Sequence, residues 1–169
     1  ATADSPASPV TFSAMSFGAS GGNRRIAVAI AYLSTTAISA VTIGGVTASQ
    51  VDASASGSAR ACIWVAEVPS GTSGDVVVTG HDGVGTARAM AVSIYSLYNL
   101  FSDTARSHGN DASSPYSIDL TTSLNDVAIG CMGTFVTGGA ATHTWTNLAE
   151  DVDGTVVIAS YHSTQLGTH

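Results

Sequence analysis

A chain of 169 residues with five arginines, no lysine and twelve acids carries a net charge of -7. That balance repels a phosphate backbone and offers an anionic bilayer no basic amphipathic stretch, so neither nucleic-acid binding nor membrane insertion is expected. With 44% hydrophobic residues the chain can support a core, which disfavours disorder. Its apolar runs fall well short of the ~20 residues a spanning helix needs.

The length suits one domain. Ala, Gly, Ser and Thr fill about half the chain, and charged residues only 10%. The first nine residues, ATADSPASP, hold two prolines and no periodicity, and so read as an extended arm or linker ahead of a single domain over 10–169.

From there β signals dominate. VTFSAMSF (10–17) reads as a strand and GASGGN (18–23) as a turn. RRIAVAIAYL (24–33) then poses a question, because eight apolar residues follow the two arginines without a polar break. Ile26, Ile30 and Leu33 stand at helical spacing, but Ile26, Val28, Ile30 and Tyr32 alternate strictly with small alanines, and period two fits them all. The segment is expected to be a strand with a bulky face and a small one.

In VTIGGVTAS (41–49), Gly44-Gly45 supply the positive φ angles of a two-residue primed turn. The turn sets Ile43 opposite Val46, Thr42 opposite Thr47 and Val41 opposite Ala48. Further strands are expected in RACIWVAEV (60–68), DVVVTG (75–80) and TARAMAVSIYSLYNL (86–100). YSIDL (116–120), NDVAIGCMGTFV (125–136), THTW (142–145) and TVVIASYHS (155–163) complete the set. About ten short strands with frequent turns and essentially no helix indicate an all-β, antiparallel β-sandwich of jelly-roll type. The bulky faces should form the inter-sheet core. The small faces should pack against neighbouring copies, the alternative being an alanine-rich solvent face.

No motif fixes a reaction, and no catalytic, cofactor or metal residue is assigned. Ser, His and Asp are present, but the G-x-S-x-G elbow and its βα scaffold are not. Glu67 and the group Glu150, Asp151 and Asp153 are not obliged to flank a cleft as glycosidase carboxylates must. EDVDGT (150–155) resembles half a calcium loop without its distal glutamate. His81, His108, His143 and His162 show no ligand spacing. Cys62 and Cys131 fit either buried thiols or a disulfide between neighbouring strands, and suit neither zinc nor a redox pair. Trp64 reads as core, whereas Trp145, Tyr116 and Tyr161 could stack on sugars.

The order NRRIAVAIAYL, AVTIGGVTASQV, IWVAEVPSGTSGDVVVTG, AMAVSIYSLYNL, NDVAIGCMG and TWTNLAEDVDGTVVIASYHS resembles a β-sandwich domain. That domain recurs in uncharacterised phage and prophage virion proteins and in some secreted bacterial proteins. The resemblance implies a non-enzymatic structural or adhesion module, such as a head spike, fibre or tail-associated domain, located in a virion or outside the cell. Its expected partners are copies of itself, other particle or appendage proteins and a host surface glycan. The alternatives are a carbohydrate-binding module and a secreted hydrolase. In the resembled domain the turn at Gly167 leads into a final strand, so the chain is expected to lack a strand that a longer polypeptide or a neighbour supplies.

Overall fold

Strands make up most of the described chain. The structure, a computed structural model, describes residues 2–4, 8–82, 89–100, 109, 117, 119–121, 126–135 and 158–166. Among them are eleven strands and no helix. They are β1 (Thr2–Asp4), β2 (Val10–Ser16), β3 (Arg25–Leu33), β4 (Ala40–Ile43), β5 (Val46–Thr47) and β6 (Ser49–Ser56). Then follow β7 (Ala59–Glu67), β8 (Ser73–Thr79), β9 (Ala89–Leu97), β10 (Val127–Phe135) and β11 (Ile158–Leu166).

A five-stranded sheet in the order β1-β9-β3-β7-β6 faces a four-stranded sheet in the order β2-β8-β4-β5, with every pairing antiparallel. This is the expected β-sandwich. The glycine turn behaves as its sequence requires: Gly44 and Gly45 have φ of 58° and 82°, Ile43 pairs with Val46 and Thr42 with Thr47. The Ala48 N–H closes the register by donating to the Val41 carbonyl at 2.9 Å.

The bulky faces meet as the alternation demands. Ile26, Val28 and Ile30 of β3 pack against Val41 and Ile43 of β4 and Val76 and Val78 of β8, none more than 1% exposed. Met90 and Val92 of β9 and Trp64 of β7 join the same cluster. Burial of such side chains, about 1.5–3 kcal/mol each, is the main force holding the sheets together.

The second face of β3 is covered from within the chain. Ala27 and Ala31 are fully buried and Ala29 is 2% exposed. The β10–β11 hairpin lies against β3, with β10 also on β7 and β11 on β9, and its Cα atoms come within 8 Å of theirs. Face-packed sheets ordinarily stand about 10 Å apart, so this layer is unusually close. Small residues permit the approach. A Cβ built on Gly133 of β10 would lie 2.5 Å from the Arg60 carbonyl oxygen of β7, where only hydrogen fits. Ala59 and Ala61, both 8% exposed, flank that point on β7. The expectation that the alanine face of β3 meets another copy is therefore corrected: an intramolecular third layer occupies it. The side chain of Ala89, on the small face of β9, lies outside the described residues.

Two further departures have physical causes. Ser117, Asp119 and Leu120 of the expected strand YSIDL belong to no ladder and are exposed, Leu120 at 40%. Strand β6, SQVDASAS, was not expected, because its small polar residues give no hydrophobic alternation. Within the expected arm, Thr2–Asp4 pair with Ala89–Ala91 along the edge of β9.

Candidate functional site

The described polar groups concentrate at two ends of the sandwich. At one end Arg24 is fully buried, although its neighbour Arg25 pairs with Glu67 on the surface at 3.2 Å. Arg24 lies just before β3 and Arg25 begins it, so the two adjacent side chains meet different surroundings. Arg24 Nε donates to the Val68 carbonyl at 2.7 Å. Nη1 reaches the carbonyls of Phe17, Gly18 and Ala19 at 3.1, 3.2 and 2.7 Å, and Nη2 those of Ser70 and Gly71, both at 2.8 Å. The guanidinium thus ties the β2–β3 turn to the β7–β8 loop through backbone acceptors alone. Ser96 Oγ and Tyr98 Oη add bonds to the Phe17 and Ala19 carbonyls from β9.

At the other end the chain leaves β3 through Ser34, Thr35 and Thr36. The Asp82 carboxylate accepts from Ser34 Oγ, Thr35 Oγ1 and the Thr35 N–H, the last at 2.8 Å. Ser34 Oγ in turn accepts from the backbone N–H groups of Asp82 and Thr36, at 3.1 and 3.2 Å. His81 is buried beside them at 4% exposure. Serine, histidine and aspartate are therefore adjacent, but their wiring is not that of a triad. The serine hydroxyl gives its proton directly to the carboxylate, whereas a catalytic serine gives it to histidine. Ser34 is also fully buried, out of reach of any substrate. The arrangement is a loop lock.

Arg60 of β7 completes that lock and also faces outward. Its Nε and Nη2 donate to the carbonyls of Ser34 and Thr35, both at 2.9 Å. Nearby the four-stranded sheet stops early, because β5 gives two residues before the chain crosses at the buried Ala48 into β6. Beyond this corner lies a cavity of about 160 Å³, lined by Tyr32, Ile38, Gln50, Ala55, Arg60 and Cys62 among others.

Comparison with protein-family models, with curated proteins and with solved structures finds no match.

Of the residues singled out from the sequence, Trp64 is core as expected, 6% exposed, and its Nε1 donates to Cys62 Sγ at 3.2 Å. Glu67 is exposed and ion-paired with Arg25. Glu150, Asp151, Asp153, His108, His143, Trp145 and Tyr116 fall outside the described residues, as do the side chains of His162 and Tyr161. No cluster of metal-ligating side chains occurs among the described residues. Sequence reasoning missed Arg24, Asp82 and Arg60. Each works through backbone groups or loop hydroxyls, which carry no sequence signature.

The cysteines are free thiols. Cys62 points into the inter-sheet core, whereas Cys131 comes from the third layer and receives a hydrogen bond from the Cys62 backbone. They meet β7 from opposite faces, which keeps the sulfurs from bonding. Burial pushes the Cys62 thiol up to about 12, against the smaller opposing effect of the Trp64 N–H. Burial first, and the neighbouring Cys62 second, also push Cys131 up. Tyr32 is raised by burial, with the Ile38 N–H opposing.

All three groups have folded values above their unfolded ones, so their contribution to stability is complete below about pH 9 and drains as pH rises, for Cys62 toward about 12. Each drains at most about 1.4 kcal/mol per pH unit. The melting temperature is expected to fall continuously across that window. At pH 8 an aromatic disulfide reagent should leave the buried Cys62 unmodified until denaturant is added, and reach the half-buried Cys131 first. Rapid labelling of Cys62 in the folded chain, or a flat alkaline limb, would contradict the burial of these groups.

Proposed function

We propose that the chain is a non-enzymatic structural and adhesion module of a virus-like particle or extracellular appendage, joining copies of itself and other particle proteins along its sheet edges. The observation that carries this reading is the composition of β6. Among the described residues it forms the outer edge of the five-stranded sheet, and Ser49, Gln50, Ala53, Ala55 and Ser56 are exposed along it. Soluble proteins usually guard such an edge with lysine, proline or inward-pointing charge, because its open backbone groups template pairing with another chain. Strand β6 has Asp52 as its one charged residue, and its register shift lies at the Gln50–Asp52 end, leaving Ala53–Ser56 in regular pairing. An edge of small, uncharged side chains suits addition of a strand from a neighbour.

The test is sedimentation of the wild-type chain over a concentration series beside Ser49→Lys/Ser56→Lys. Both sites are exposed, so folding stability should change by no more than about 0.5 kcal/mol per site. The wild type should associate, and the lysine pair should return it to monomer. A wild type that is monomeric throughout, or association untouched by the two lysines, would overturn the reading.

A further inference from the structure

The cavity beyond the Ala48 corner combines an apolar wall with an arginine that forms no ion pair among the described residues. Ile38, Ala55 and Cys62 supply apolar surface, and Arg60 and the Tyr32 hydroxyl supply polar groups. The Arg60 guanidinium is fixed by its bonds to the Ser34 and Thr35 carbonyls. No ion pair involves it among the described residues. Tyr32 Oη accepts the Ile38 N–H at 3.1 Å and a hydrogen bond from Arg60, and keeps its own proton to donate. Two pre-positioned donors, one of them charged, therefore border a recess with no acid in its lining. With Nε and Nη2 bonded to carbonyls, the guanidinium offers its remaining N–H groups as charge-assisted donors, which favour a carboxylate.

The volume sets the size of the ligand. A cavity of about 150 Å³ holds a benzene-sized molecule, and this one is about 160 Å³. We infer that the cavity is a binding site for a small carboxylate, either a free hydroxy acid or the carboxylate end of an acidic sugar. This inference does not rest on assembly along β6, although Gln50 and Ala55 belong to both surfaces.

The test is a titration of the ¹⁵N-labelled chain with lactate, with glucuronate and with the neutral controls lactamide and glucose, followed by amide shifts. Saturable shifts at Gln50, Ala55 and Arg60, with a dissociation constant near ~1 mM, are expected for at least one acid and for neither control. Saturation by lactate alone assigns the free acid. Saturation by glucuronate assigns the sugar. Arg60→Gln should weaken binding at least about tenfold. Because Arg60 also anchors a loop, Ala55→Leu, which fills the recess from an exposed strand position, should do the same without touching the anchor. Equal response to lactate and lactamide, absence of saturation with both acids, or unchanged binding in Ala55→Leu would overturn the inference.

Discussion

Arg24→Met is expected to remove about 3–5 kcal/mol of unfolding free energy, a large share of the 5–15 kcal/mol a domain holds. Methionine keeps the aliphatic stem and the volume, so the loss isolates the guanidinium. Six backbone carbonyls from two loops lose this donor together, and among the described residues only those of Phe17 and Ala19 keep another, from Ser96 Oγ and Tyr98 Oη. Each buried carbonyl left without a partner costs about 1–3 kcal/mol, reduced where water or loop movement can reach it. Arg24→Lys should recover little, since three donors on one nitrogen cannot span acceptors arranged around a planar fork. In urea the midpoint should drop sharply for both variants, and the melting temperature by about 10 °C or more. A lysine variant within about 1 kcal/mol of wild type would show that the fork geometry contributes little.

Ala29→Lys should cost several kcal/mol in the isolated chain. Ala29 lies at the centre of β3, opposite Ile63 on β7 and Ser93 on β9, under the β10–β11 hairpin. An ammonium placed there is desolvated unless the hairpin lifts away, and lifting exposes the alanine face. Gly133→Ala attacks the same contact from the other side. Its new methyl group meets the Arg60 carbonyl, with overpacking expected to cost about 1–3 kcal/mol. The two effects should add to less than their sum, because once the hairpin has lifted for one substitution it is out of the way of the other. Limited proteolysis gives the structural readout, with cleavage within or beside β10 and β11 preceding cleavage of the sandwich. Ala29→Lys within about 0.5 kcal/mol of wild type would remove the third layer from this account.

The strand frame was legible where one physical rule dominated. Ile26, Val28, Ile30 and Tyr32 admit period two over their whole length, and Gly44-Gly45 admit one turn type, so β3, β4 and β5 follow. The outer face of β3 was legible as small and dry, but not as belonging to the hairpin. Alternation says that a face is buried and is silent about what buries it. Strand β6 was invisible because an edge needs neither an apolar stripe nor β-branched residues when its neighbour β7 supplies the ladder. The pair Arg24-Arg25 reads as two surface cations. Backbone carbonyls, which every residue has, decided which of the two went inside. Ser34, His81 and Asp82 lie 48 residues apart at their widest, and nothing in either segment announces the other.

Most buried cations in proteins are balanced by carboxylates, and such pairs come undone when acid protonates the partner. The cage around Arg24 has no member that acid can neutralise, because an amide oxygen stays unprotonated through any pH a protein meets. Nor can dissolved ions compete easily for a guanidinium sealed from solvent. The joint between the β2–β3 turn and the β7–β8 loop should therefore hold alike in brine, in dilute buffer and in a sour medium. It ties this end of the sandwich together in a way that is indifferent to its surroundings.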